Sequence, residues 1–224
     1  SNAYSKDYHP LLPRLDTALV REVVLVNNSA RGVAFAHPKL RVLDQPENIF
    51  VNPAWNLGVS VATGRYVFVS NDDISIEPTF LGTVLSLARP GMGLIGPHPT
   101  CYIDGTGQPP VGPPRLVPTY ARTWGFGSAM LFERERWVVI PEDLKIIYGD
   151  DYVFNRQRHR NYHLYGVPIV TEMSTSSSRG EFSGQAAEDA RLYEQQWAGD
   201  NPYLRRFRVP AAVAGLRQRW GRST

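Results

Sequence analysis

The sequence predicts an α/β domain with a mostly parallel central sheet, and three features predict it. Short apolar runs at Val23 to Val26, Leu40 to Leu43 and Val67 to Val69 read as buried strands. A segment with complete helix signals, Asn52 to Gly64, separates the second from the third. The first and third runs stop abruptly at polar turns, Asn27-Asn28-Ser29 and Asn71-Asp72-Asp73. At the carboxyl ends of strands in an α/β sheet, such polar turns mark a ligand crevice.

At 224 residues the chain has room for one large domain with a full core, and its 42% apolar and 20% charged composition is that of an ordinary globular protein. The single Cys101 excludes an intramolecular disulfide framework and fits a reducing compartment. No apolar run reaches the roughly 18 residues of a membrane span. Ser1-Asn2-Ala3 reads as a remnant of expression cloning, so the natural start is expected elsewhere. The 24 Lys and Arg divide eighteen and six at residue 201, and all 21 acids precede it, so the net +3 splits into −3 for the body and +6 for the tail. A basic tail on an acidic body gives no support for nucleic-acid binding by the body.

In chain order, Leu11, Leu12, Leu15, Ala18 and Leu19 recur near helical spacing, which predicts a helix over 9–19. In the segment from Asn52 to Gly64, Asn52 suits a cap, Pro53 a first turn and Gly64 a left-handed end, with Ala54, Leu57, Gly58, Val61 and Ala62 on one face. Beyond the strand ending at Asp72-Asp73, a second amphipathic helix is expected over 78–88 and a short strand over 93–96. Seven prolines with Gly105, Gly107 and Gly112 then make residues 97–118 a long irregular wall or lid. Trp124-Gly125-Phe126-Gly127-Ser128 leads into the apolar run Ala129 to Phe132, its glycines allowing backbone to approach a ligand. Ile146-Ile147-Tyr148 delivers a second acidic pair, Asp150-Asp151, and Phe154, Arg158 and Tyr162 at helical spacing place it at a helix N-terminus. A last strand over 167–171, a Ser- and Gly-rich loop over 174–184 and a helix over 185–197 precede the tail. His159 and His163 stand four apart, without further ligands for a metal site, and His98 with Cys101 is likewise too few.

With both acidic pairs placed, the chain resembles a family 2 glycosyltransferase. Val24 to Ser29 resembles that family's strand and polar turn, and Asn52, Asn56, Gly58, Ala62, Gly64 and Tyr66 resemble its N-x-G-x-x-x-A-x-G-x-Y run. Asn71-Asp72-Asp73 stands where the family has a D-x-D variant, Gly127 to Arg134 resembles the segment before its acceptor site, and Asp150-Asp151 with Arg156 resembles its E-D motif. Together these cover residues 4–172. The family normally opens on a strand ending in Thr-Tyr or Pro-Tyr, where this chain has only Tyr4-Ser5; its first-turn acid is replaced by Asn27-Asn28; and its late His is replaced by Glu172-Met173-Ser174.

The resemblance implies a GT-A type, Rossmann-like three-layer sandwich over residues 1–200, with a nucleotide-binding half at about 4–96, an acceptor half at about 119–200 and a basic tail over 201–224. It implies inverting transfer of a hexosyl or deoxyhexosyl group from a nucleotide-diphosphate sugar to a hydroxyl of a glycan, lipid-linked or protein acceptor, as in polysaccharide biosynthesis. A departing diphosphate gathers negative charge that Mn²⁺ or Mg²⁺ offsets, so Asp73, with Asp72, is expected to hold the metal. The attacking hydroxyl must lose a proton, so Asp151 is expected as general base with Asp150 in reserve. Donor contacts fall to Tyr4, Asn27, Asn28, Asn52, Asn56 and Asp72, and acceptor contacts to Trp124 and Gly127. The expected location is cytoplasmic. The arginine tail has two readings, contact with the anionic inner face of a membrane or a solvated end. A protein of the same fold that binds a nucleotide sugar or carbohydrate without catalysis is the alternative.

Overall fold

The computed structural model describes residues 18–29, 32–33, 36–103, 110, 112–171 and 182–207. Residues 9–17 of the helix expected over 9–19, residues 174–181 of the loop expected over 174–184 and residues 208–224 of the tail lie outside them, as do Tyr4 and Glu172. Among the described residues no helix is long and apolar enough to cross a membrane.

The chain is α/β, with three sheets in place of one. Strand β1 (Val23–Asn27) pairs in parallel with β2 (Leu40–Asp44). The helix α1 (Val51–Val61) then crosses to β3 (Tyr66–Ser70), as the sequence predicts. After β4 (Ile74–Ile76), α2 (Phe80–Leu87), β5 (Met92–Pro97), β6 (Tyr102–Ile103), β7 (Arg115–Thr119) and β8 (Ala129–Glu133) come α3 (Gly149–Asn155), β9 (Arg160–Tyr165), β10 (Ile169–Thr171), α4 (Ser183–Gln196) and α5 (Pro202–Phe207). The five-stranded sheet has the order β3-β8-β5-β9-β7, and a small sheet the order β4-β10-β6.

The expectation of a mostly parallel central sheet needs correction. In the five-stranded sheet β8 runs antiparallel to both β3 and β5, β7 runs antiparallel to β9, and only β5 and β9 are parallel. Antiparallel neighbours need no crossover helix, and β8 is entered from an irregular segment. The stretch 97–118 is also not wholly irregular. Its end is the edge strand β7, and Pro118 is tolerated there because an edge strand leaves one row of backbone groups unpaired.

Helix ends differ from their sequence signals in instructive ways. α1 begins one residue before Asn52, on Phe50 at φ 66°, and it ends on an extended Ala62 without a left-handed Gly64. Asn52 therefore lies inside the helix, fully buried, where its amide donates to the Ile147 carbonyl at 3.2 Å. Gly149 makes room for it, since a Cβ there would overlap the Asn52 side chain. Helical spacing carries α3 to Tyr162, but the helix stops at Asn155 and Tyr162 belongs to β9. Buried Asn161 makes this strand fit: its Oδ1 accepts from Leu94 N at 2.9 Å and its amide donates to the Phe154 carbonyl at 3.1 Å.

Two apolar cores hold the layers together. One gathers Ile74, Ile76, Phe80, Val84, Leu131 and Ile169 around α2, and the other gathers Met130, Phe132, Ile140, Leu144, Phe154 and Tyr203 around α3 and α5. Residues 202–207, which sequence charge assigns to the tail, thus belong to the body. Tyr203 is fully buried, donates to the Thr119 carbonyl at 2.6 Å and accepts from Asn161 N at 2.9 Å. Tyr203→Phe strips both partners of their bond in a site closed to water, and the expected loss is about 2 kcal/mol of unfolding free energy. Urea denaturation measures it, and an unchanged midpoint would refute the assignment of α5 to the body.

Candidate active site

The two acidic pairs, far apart in sequence, meet across one short turn. Asn71-Asp72-Asp73 leaves the end of β3, and Asn71 N donates to the Ser128 carbonyl at 2.9 Å. Ser128 closes the 3-10 turn Phe126–Ser128, whose middle residue, Gly127, faces Asp150: a Cβ there would lie 2.6 Å from Asp150 Oδ2. Gly125, at φ 79°, sets this turn against the Tyr102 ring, and the Tyr102 hydroxyl donates to the Gly125 carbonyl at 2.6 Å and also bonds the Ser128 hydroxyl. Burial, then the charges of Asp150 and Asp73, pushes the Tyr102 phenol well above its usual range, so it stays a neutral donor between the two pairs.

Asp150 and Asp151 occupy the first turn of α3. What aims that turn is a residue from α4. The fully buried Asp189 carboxylate accepts from Lys145 N at 3.1 Å, Ile146 N at 2.6 Å and Ile147 N at 2.9 Å, and from the Gln185 amide at 2.9 Å. The chain then passes through Tyr148 at φ 62°, stacked on Tyr193 at 4.5 Å, into the acidic turn. Burial, then the Asp151 charge, pushes the Tyr193 phenol up to about 12.

Arg122 stands beside both acids, Nη1 3.1 Å from Asp150 Oδ2 and Nε 2.8 Å from Asp151 Oδ2. Asp150 first, and Asp151 after it, raise the Arg122 pKa against the opposing effect of burial. Arg156 turns elsewhere, pairing with Asp200 at 3.1 Å and lying over the Tyr152 ring.

A cavity of about 1410 Å³ takes in all of this. Its polar part is lined by Asn27, Asn28, Ser29, Asp72, Asp73, Arg122, Trp124, Gly127, Asp150 and Asp151, and its apolar part lies between β1 and β3, over α1. Asn27 and Asn28 reach it while serving the chain itself. Asn27 donates to Asp44 Oδ1 at 2.7 Å and accepts from Ser29 N, and Asn28 donates to the Phe50 carbonyl and accepts from Ile49 N. Asn52 and Asn56, expected as donor contacts, stand outside its lining. Asn56 donates to the Ile140 carbonyl at 2.8 Å and accepts from Trp137 Nε1 at 2.9 Å, so its amide is spent on the chain. Trp124 is 54% exposed at the rim, edge-on to Tyr102.

The sequence profile of glycosyl transferase family 2 matches residues 10–161, two thirds of the chain. The chain belongs to glycosyl transferase family 2. No curated protein matches the sequence. Two solved structures share the fold of this glycosyltransferase. The mannosyltransferase PcManGT from Pyrobaculum calidifontis, in complex with GDP-Man and Mn²⁺, superposes with a TM-score of 0.51 at 17% identity, over 95% of this chain and 70% of that one. S. aureus TarS 1-349 superposes with a TM-score of 0.50 at 12% identity, over 84% and 67%. The fold is thus of the GT-A type.

Among the described residues no three His, Cys, Asp or Glu side chains gather as a metal cage. The glycosyltransferase offers instead the adjacent carboxylates of Asp72 and Asp73 at the cavity wall, a donor set that fits a hard divalent cation completing its shell with phosphate oxygens and water. Tyr102, Arg122 and Asp189 were not singled out by the sequence. A signal existed for Asp189, an acid falling on the stripe of Ala186, Ala190 and Tyr193, where a charge is out of place unless it is bonded. Arg122 and Tyr102 carry no such mark.

Two measurements bear on this architecture. Asp189→Ala leaves the Lys145, Ile146 and Ile147 amides without their acceptor, and the expected cost is about 3 kcal/mol in urea denaturation; a loss below about 1 kcal/mol would show that the carboxylate does not hold the loop. Behind the turn, His163 is buried against Phe126 with Thr123 Oγ1 at 3.1 Å, and burial, then His98, depresses its pKa to about 4 from 6.5. The unfolded chain therefore binds the proton more tightly, so stability is complete above about pH 6.5 and falls on acidification towards pH 4. The expected loss between pH 7 and pH 5 is about 2 kcal/mol, and His163→Gln is expected to flatten the melting-temperature profile over that interval.

Proposed function

We propose that this glycosyltransferase moves a sugar from a nucleotide-diphosphate donor to an acceptor hydroxyl with inversion, using one acidic pair on each side of the reacting carbon. The observation that carries the reading is that Asp72-Asp73 and Asp150-Asp151 line one cavity and are tied to the same turn, through Ser128 and Gly127. Asp73 and Asp72 would hold a divalent cation, Mn²⁺ or Mg²⁺, whose charge would offset that of a departing diphosphate. Asp151 takes the proton of the attacking hydroxyl, with Asp150 as the second carboxylate at that position. Asn27, Asn28 and Ser29, at the end of β1, border the nucleotide, and the Asn27 and Asn28 side chains are already fixed by bonds to Asp44, Ile49 and Phe50. Trp124 offers a ring face at the rim to the acceptor sugar. The GDP-Man and Mn²⁺ bound to PcManGT support a nucleotide sugar and a divalent cation as the ligand classes.

Asp73→Asn and Asp151→Asn are each expected to lower donor-dependent transfer by about a hundredfold or more, the size of a lost general base or charge stabiliser. Product release from nucleotide sugars, screened with and without Mn²⁺, reads it. Turnover near the wild-type rate in both variants would leave the alternative, a binding protein of the same fold.

A further inference from the structure

Four carboxylates border the polar part of the cavity, and the described cations lining it are Arg21, Arg65 and Arg122. Arg65 is committed to Glu133 at 2.9 Å, and Arg21 stands with Arg65 at a second hollow. Arg122 is therefore the cation that faces the acids. A nucleotide diphosphate adds further negative charge to this space, and like charges in a partly buried site repel strongly.

Arg122 is shared between the two acids. Each of two guanidinium nitrogens meets a different carboxylate, so the two-pronged arrangement that locks an arginine to a single carboxylate is absent. Nε lies 2.8 Å from Asp151 Oδ2, and Nη1, 3.1 Å from Asp150 Oδ2, also donates to the Thr123 carbonyl at 3.4 Å. The residue itself sits in the irregular segment between β7 and the Phe126–Ser128 turn, with no ladder bonds to fix it.

We propose that Arg122 is a transferable counter-ion, neutralising Asp150 and Asp151 in the donor-free site and turning its N–H groups to the diphosphate oxygens when the donor is seated. The inference rests on the glycosyl-transfer reading above and gives that reading its order of events. While Arg122 faces the acids, its guanidinium stands against the Asp151 oxygen. Once the guanidinium has moved, that counter-charge no longer stands between Asp151 and the acceptor hydroxyl. In the transfer step the bond from acceptor oxygen to the anomeric carbon forms as the bond from that carbon to the diphosphate oxygen breaks. The electron pair leaves with the diphosphate, towards Arg122, and the proton goes to Asp151.

Linkage supplies the test, because a cation that changes partners makes the partners compete. Calorimetric titration with pyrophosphate, GDP and UDP in the presence of Mn²⁺ is made on the wild type, Arg122→Gln, Arg122→Lys, Asp150→Asn and the double variant R122Q/D150N. Arg122→Gln is expected to weaken diphosphate binding by about tenfold or more, the scale of lost charge-assisted bonds, and Arg122→Lys by less. Asp150→Asn is expected to tighten it severalfold by releasing the guanidinium, and that gain is expected to vanish in the double variant. Unchanged affinity in Arg122→Gln overturns the proposal, as does the absence of a gain in Asp150→Asn, an equal gain in the double variant, or a wild type that binds none of the three ligands. Should Arg122→Gln fail to fold, Asp150→Asn and Arg122→Lys still decide it. These titrations need no turnover, so a failure of Asp151 as the base in the transfer assay leaves their outcome separate.

Discussion

Gly127 has no side chain, and the site is assembled around that fact. The turn it occupies is bonded to the end of β3 on one side and pressed against the first turn of α3 on the other. A methyl group there would meet Asp150, pushing the second acidic pair away from the first. The glycine thus does structural work that its sequence neighbourhood half reveals: the run Gly125-Phe126-Gly127 signals close approach, but not to what. The close neighbours turn out to be the Tyr102 ring and the Asp150 carboxylate.

Electrostatics explains the rest of the arrangement. Adjacent carboxylates are costly to hold together unless a cation or aligned N–H groups compensate them. The structure answers differently at its three acidic points. Asp189 is wholly enclosed and satisfied by backbone amides, so it is a structural anion. Asp150 and Asp151 are balanced by a guanidinium at the cavity wall. Asp72 and Asp73 are turned to the cavity at the end of a strand, where a hard cation fits.

Much of this was legible in the residues. The runs ending at Asn27 and at Asp72-Asp73 became strands with polar turns at one cavity, and Asp150-Asp151 did open a helix. Local signals failed where tertiary packing overrode them. Asn52 looked like a cap, yet its amide was worth more bonded across to Ile147, and the helix started on a strained Phe50 instead. Phe154, Arg158 and Tyr162 shared a helical period by coincidence, since a three-residue reach cannot tell a helix running on from a helix followed by a strand. Strand direction was misjudged because parallel pairing was inferred from the helices in between, and β8 has none before it. Arg122 was invisible for a simpler reason: a lone arginine in a loop acquires meaning only from what the fold puts beside it.

The β1–β2 ribbon carries the Asn27-Asn28-Ser29 corner, yet its ladder stops at those two strands and does not continue into β3. Its attachment runs through the apolar packing of α1 and a few bonds, those of Asn28 to Ile49 and Phe50 and of Glu22 to Thr63, not through a shared row of amides and carbonyls. Packing of that kind is non-directional and yields more readily than a hydrogen-bonded ladder. The Asn27-Asn28-Ser29 corner therefore stands on a leaf whose hold on the acidic wall is set by side-chain contacts and not by a continuous ladder.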